Sequence, residues 1–264
     1  MEALEHVDLW SSQVLVLALS ATRIAVAFLL LPLFTQDTMP ALVRNAVFLA
    51  LAALSVALQP AVDVAHFHSV DWLRLFGKEV FIGAVIGVLF GAVLWAFDVA
   101  GQIIDMKTGA SMAQVMDPLS GHQTPLTAAL LSRLASMLFM SSGGFLLLVG
   151  LMLQSYALWP VGATLPPLKS GGMTLIEAEF GRVATLGLLI SAPALVVLYI
   201  VEAAFGLINR YAQQLNVFAL SSSIKVLASQ ALLILLLSTF AQLLVDDIAS
   251  RPPIVLRSLK AMLR

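Results

Sequence analysis

Six stretches of this chain run for about 20 residues or more with at most three charged side chains each, at roughly 13–34, 41–60, 78–100, 126–158, 183–208 and 226–245. Helical crossing of a hydrocarbon core takes about 20 mostly apolar residues, and inside lipid every backbone polar group must be satisfied within its own segment. The pattern therefore predicts an all-α, polytopic membrane protein: one integral membrane domain over 1–264 built from about six apolar helical segments. Composition agrees, since 60% of the 264 residues are apolar and 11% are charged, whereas an ordinary soluble domain has roughly 25% charged.

The fourth segment is too long for one straight span, and Ser141, Ser142, Gly143 and Gly144 in its middle predict a kink or two half-helices. A second break is expected at Pro193. The N-terminus carries Glu2, Glu5 and Asp8 and no basic residue, unlike a cleavable signal sequence, so the first apolar segment is expected to stay as a membrane helix. With six crossings, counting basic residues in the connections favours cytoplasmic termini, mainly through Arg251, Arg257, Lys260 and Arg264.

Several function classes fall away. Fourteen basic against 15 acidic residues leave no cationic surplus for a phosphate backbone, so nucleic acid is not an expected partner. There is no cysteine, hence no disulfide or thiolate metal site. His66 and His68 lack a third ligand at metal spacing, and no nucleophile elbow, helical H-E-x-x-H or phosphate-cradling loop is present. No catalytic residue, metal or cofactor is therefore expected. The sequence SSGG at 141–144 resembles a nucleophile turn only superficially, with no histidine near it.

Three features remain that could carry function. Gly83, Gly87 and Gly91 recur every four residues and line one helix face, suiting close helix contact within the chain, contact with another subunit, or a pore-facing groove. Arg23, Arg133 and Glu202 lie within or near apolar spans. Each must pair, face water, or meet protein instead of lipid, and Arg23 with Glu202 is one conceivable pair. The stretch from 98 to 125, DVAGQIIDMKTGASMAQVMDPLSGHQTP, is too polar to span and too apolar for an ordinary loop. It suits either an interfacial amphipathic segment or a methionine-rich surface that closes and reopens.

At 202–225, EAAFGLINRYAQQLNVFALSSSIK, the chain resembles a known family: the T subunits of type III secretion export gates (the SctT/FliR family). Arg23, Pro32, Pro40 and Arg44 are similar to its N-terminal pattern. Glu79 with Gly83, Gly87 and Gly91 resembles its glycine-rich helix, and Gly101, Asp105, Gly109, Asp117 and Pro118 its central loop. Gln213 and Ser223 stand where the flagellar pattern has proline, which looks more like the virulence-type injectisome branch.

The resemblance implies kinked helical hairpins packed into a helical export-gate assembly in the bacterial inner membrane. Implied partners are the P/R-type and Q/S-type membrane subunits, the autoprotease switch subunit, the large export-gate subunit, membrane lipid, and unfolded secreted proteins in transit. It also implies a channel plug over about 106–123, with Met106, Gly109, Met112, Val115, Met116, Asp117 and Pro118 as sealing and hinge residues. Asn209, Arg210, Gln214, Asn216, Phe218 and Lys225 would make polar contacts between helices at the hairpin. A reading from a different class is a small-solute secondary transporter that uses Arg23, Arg133 and Glu202 as pathway charges.

Overall fold

The computed structural model describes residues 2–33, 39–59, 69–109, 126–163, 171–211 and 217–263. Among them the chain forms seven helices and turns, with no strand. In chain order these are α1 (Glu2–Leu29), α2 (Ala41–Leu58), α3 (Ser69–Thr108), α4 (Leu126–Ser141), α5 (Gly144–Leu158), α6 (Gly171–Tyr211) and α7 (Val217–Leu263).

Prolines and glycines set the ends where the sequence predicts. Pro40, with ψ 140°, precedes the first residue of α2, a place where its missing N–H costs nothing. The break expected at 141–144 is present: Gly143 takes φ +84° between α4 and α5, a left-handed conformation that glycine adopts without a Cβ penalty. The Ser142 N–H closes α4 by donating to the Leu138 carbonyl at 2.8 Å, and the Leu147 N–H opens α5 by donating to the Gly143 carbonyl at 3.1 Å.

The break expected at Pro193 does not occur; α6 runs unbroken through it, and α7 runs through both Pro252 and Pro253. An interior proline removes one backbone hydrogen bond and strains one turn, and long helices held by side-chain packing on either side absorb that loss.

Among the described residues the expected apolar segments fall on helices of different lengths. α2 and the apolar windows Asp71–Thr108, Ile176–Tyr211 and Leu220–Lys260 are long and apolar enough to cross a membrane, and the broken pair α4–α5 makes a fifth at most. In α1 the apolar stretch among the described residues is Gln13–Leu29. Helices α3, α6 and α7 have 40, 41 and 47 residues. At 1.5 Å per residue, 40 residues rise about 60 Å, roughly twice the hydrocarbon thickness, so hydropathy marks only their apolar middles.

The chain divides into two compact units: Met1–Gly91, Gly143–Glu179 and Ala249–Arg264 in the first, Ala92–Ser142 and Phe180–Ile248 in the second. In the first unit Ile24, Phe28, Leu31, Ile82, Ile86 and Leu148 are buried, and the Phe28 ring stands 5.6 Å from that of Phe48 and 5.9 Å from that of Phe145. In the second, Phe97, Ala100, Ile104, Leu131, Phe139 and Leu244 are buried, with Phe97 edge-on to Phe240. Helix α3 is the most enclosed. Of its apolar window 72% is buried, against 28% for α6 and 17% for α2 and α7, so α3 meets protein while the others turn apolar faces outward.

Candidate functional site

In the first unit two glycines allow α1 to lie against α3. A Cβ built on Gly83 would stand 2.5 Å from the Arg23 carbonyl oxygen, and one on Gly87 2.8 Å from that of Ala27. No side chain fits there. The face expected from the four-residue glycine repeat is thus a close contact within the chain at these two positions, and Gly91 is buried on the same helix.

That approach brings Arg23 onto Glu79. Arg23 Nε donates to Glu79 Oε2 at 2.6 Å and Nη2 to Oε1 at 3.0 Å, both side chains being fully buried. Two further donors are used: Nη1 reaches Ser155 Oγ at 3.0 Å and Nη2 the Trp159 carbonyl at 2.9 Å. The guanidinium lies over the Tyr156 ring, 4.0 Å from its centroid, and the Tyr156 hydroxyl donates to the Ser20 carbonyl at 2.6 Å.

Lys78 completes the network. Its Nζ is 3.1 Å from Glu79 Oε1 and donates to the carbonyls of Pro160, Val161 and Ala163 at 2.8, 2.7 and 2.9 Å. Elsewhere in this unit the buried Arg251 pairs with Glu179 and donates to the Leu89 carbonyl at 3.1 Å. Buried charges persist only when paired and hydrogen-bonded, and these are.

The second unit has an equally close approach of α3 to α4. A Cβ on Gly101 would stand 2.3 Å from the Ala128 Cα. Four residues on, the buried Asp105 carboxylate accepts the Thr127 N–H at 3.2 Å and the Ala128 N–H at 2.9 Å. Helix N-termini leave N–H groups unpaired and favour negative charge, and Asp105 supplies both needs to α4 from another helix. Gln230 donates to Thr127 Oγ1 at 3.0 Å, and Ser222 Oγ to the Thr108 carbonyl at 3.3 Å, tying the start of α7 to the same place.

Beside it lies a charge triad centred on an exposed carboxylate. Glu202 on α6 receives Lys107 of α3 at 2.8 Å and Lys225 of α7 at 3.7 Å, with Lys107 Nζ 4.1 Å from the Tyr199 ring centroid. Arg182 and Asp247 form another pair in this unit.

Within its own unit Arg23 pairs with Glu79, and within the other Glu202 pairs with Lys107 and Lys225. Arg133 is exposed on α4 and makes no ion pair with a described residue. Of the three charges expected to line a solute pathway, Arg23 is buried with four of its five N–H donors engaged, Arg133 is exposed, and Glu202 is shared by two lysines.

Met106 is 66% exposed in the last turn of α3, so the segment expected to be a loop from 106 starts as helix. Gly109 ends that helix at φ +81°, its N–H donating to the Met106 carbonyl at 3.4 Å. Met112, Val115, Met116, Asp117, Pro118, Gln214 and Asn216 lie outside the described residues, as does the side chain of Phe218. Asn209 and Arg210 are exposed at the end of α6. Lys78, Arg251 and Glu179 were not expected as site residues. The available signal was a charge doublet, Lys78–Glu79, opening an apolar run four residues before a glycine face.

These observations define a class: a helical membrane protein whose charges hold helices to one another, with no group of three metal-ligating side chains among the described residues. The chain belongs to the bacterial export proteins, family 1, whose model matches residues 14–250. It is 31% identical over 232 residues to Yop proteins translocation protein T of Yersinia pestis, covering 86% of this chain and 88% of that protein. Secretion system apparatus protein SsaT of Salmonella typhimurium is 32% identical over 224 residues, 84% and 85% of the two chains. Flagellar biosynthetic protein FliR of Bacillus subtilis is 29% identical over 219 residues, 82% and 83%.

Proposed function

We propose that this chain is a core membrane subunit of a type III protein-secretion export gate, which forms and seals the entry channel for unfolded substrate proteins. The observation that carries this reading is the family match across 14–250, joined by relatives named for translocation, secretion and flagellar biosynthesis. The subunit works without catalysis in the bacterial inner membrane and assembles with P/R-type and Q/S-type relatives, the autoprotease switch subunit and the large export-gate subunit. Gln213 and Ser223 favour the injectisome branch. The outward apolar faces of α2, α6 and α7 support a chain completed by lipid and neighbouring subunits.

Sealing is assigned to the segment around 106–123. Supporting this, Asp105 on one side and Thr127 and Ala128 on the other are hydrogen-bonded together. These bonds hold α3 to α4 at the two ends of that segment.

The test is co-expression with the neighbouring membrane subunits, native mass spectrometry of the purified complex, and deletion of 106–116. A defined hetero-oligomer that becomes leaky to ions on deletion is expected. A lone monomer would overturn the subunit reading, and a tight barrier in a fully assembled deletion complex would overturn the plug.

A further inference from the structure

The Lys107–Glu202–Lys225 triad differs from every other charge network described in the molecule. One carboxylate is shared by ammonium groups from two other helices, at 2.8 and 3.7 Å, and its side chain stays 47% exposed. Asp105, two residues before Lys107, is buried and hydrogen-bonded to backbone N–H groups. The triad is therefore not needed to hold α3 to α4. What it adds is a second tie, between the last turn of α3 and helices α6 and α7, made at the surface where water competes for it.

The uneven distances matter. Lys107 makes a direct hydrogen-bonded pair and also rests on Tyr199, whereas Lys225 contributes mainly charge. Glu202 can thus pass from one lysine to the other without either ammonium being stranded in an apolar interior.

We propose that Glu202 is the movable member of an electrostatic clasp that holds the end of α3 against α6 and α7 while the channel is closed, and releases it on opening. This rests on the export-gate reading above. It adds a regulatory role for these three residues.

The experiment uses the gate assembled from all co-expressed subunits, purified, checked by native mass spectrometry and placed in liposomes loaded with potassium. Glu202→Lys turns two attractions into two repulsions. Complex recovery should be unchanged while potassium efflux rises about fivefold, the population shift expected when weak surface pairs are lost. Glu202→Gln, which keeps the shape, should give a smaller rise, and the triple variant Lys107→Glu, Glu202→Lys, Lys225→Glu should restore the tight state.

Efflux at the parent level in a fully assembled Glu202→Lys gate would overturn the clasp. So would failure of both single variants to assemble, which would make Glu202 an assembly contact. The deletion of 106–116 is run alongside: if it leaks and Glu202→Lys does not, the clasp alone fails, and if neither leaks, the channel reading falls and takes the clasp with it.

Discussion

In the first unit Arg23, Lys78 and Glu79 are fully buried, and three helices and a turn supply their partners. In the second, Lys107, Glu202 and Lys225 carry the same charge types at 27%, 47% and 13% exposure and bind one another almost exclusively. Burial makes the first network unforgiving, because removing one member leaves the others charged and dry. Exposure makes the second cheap to open, because water replaces a lost partner. The gating role proposed for this chain gives a reason to carry one of each.

The contrast can be broken in order of expected effect. Glu79→Ala strands two buried cations and should cost about 3–5 kcal/mol, seen as loss of recoverable complex or a much lower thermal midpoint in detergent. A variant that assembles and melts like the parent would mean that water reaches the network. Gly101→Ala places a methyl where Ala128 already stands and should cost about 1–3 kcal/mol through overpacking. An unchanged midpoint there would show that α3 and α4 separate easily.

Asp105→Asn keeps the shape and one acceptor but loses the charge at the α4 N-terminus, for about 1 kcal/mol. Hydrogen exchange at the Thr127 and Ala128 amides should quicken, and protection equal to the parent's would remove Asp105 from the capping role. The smallest stability change is expected for Glu202→Gln, whose thermal midpoint should stay near the parent's while its leak rises. A large drop in that midpoint would erase the difference between the two networks.

The helices were legible in the sequence because long apolar runs have few other outcomes, and the SSGG break was legible because glycine and serine interrupt a ladder of apolar residues. The ends of α3, α6 and α7 were not. Hydropathy measures distance from water and cannot tell lipid from protein, and α3 spends its apolar surface on protein. Pro193 misled for a related reason: its cost is fixed and local, while the packing that offsets it is not written near it.

At the site, the sequence showed that Arg23 needed a partner and that Gly83 and Gly87 needed a close neighbour. It did not show that each answered the other, since the Arg23 carbonyl is what the Gly83 position accommodates. Asp105 and Gly101 were visible only through family resemblance. A carboxylate that caps another helix is separated from it by 22 residues, and no spacing rule spans that gap.

Lys78 faces three carbonyl oxygens at 2.7–2.9 Å, the arrangement in which other proteins hold a monovalent cation. Here the ion is tethered by its own side chain. The turn after α5 therefore has a bound cation that cannot be dialysed away or exchanged when the medium changes. Salt that loosens the Glu202 triad should leave this turn untouched.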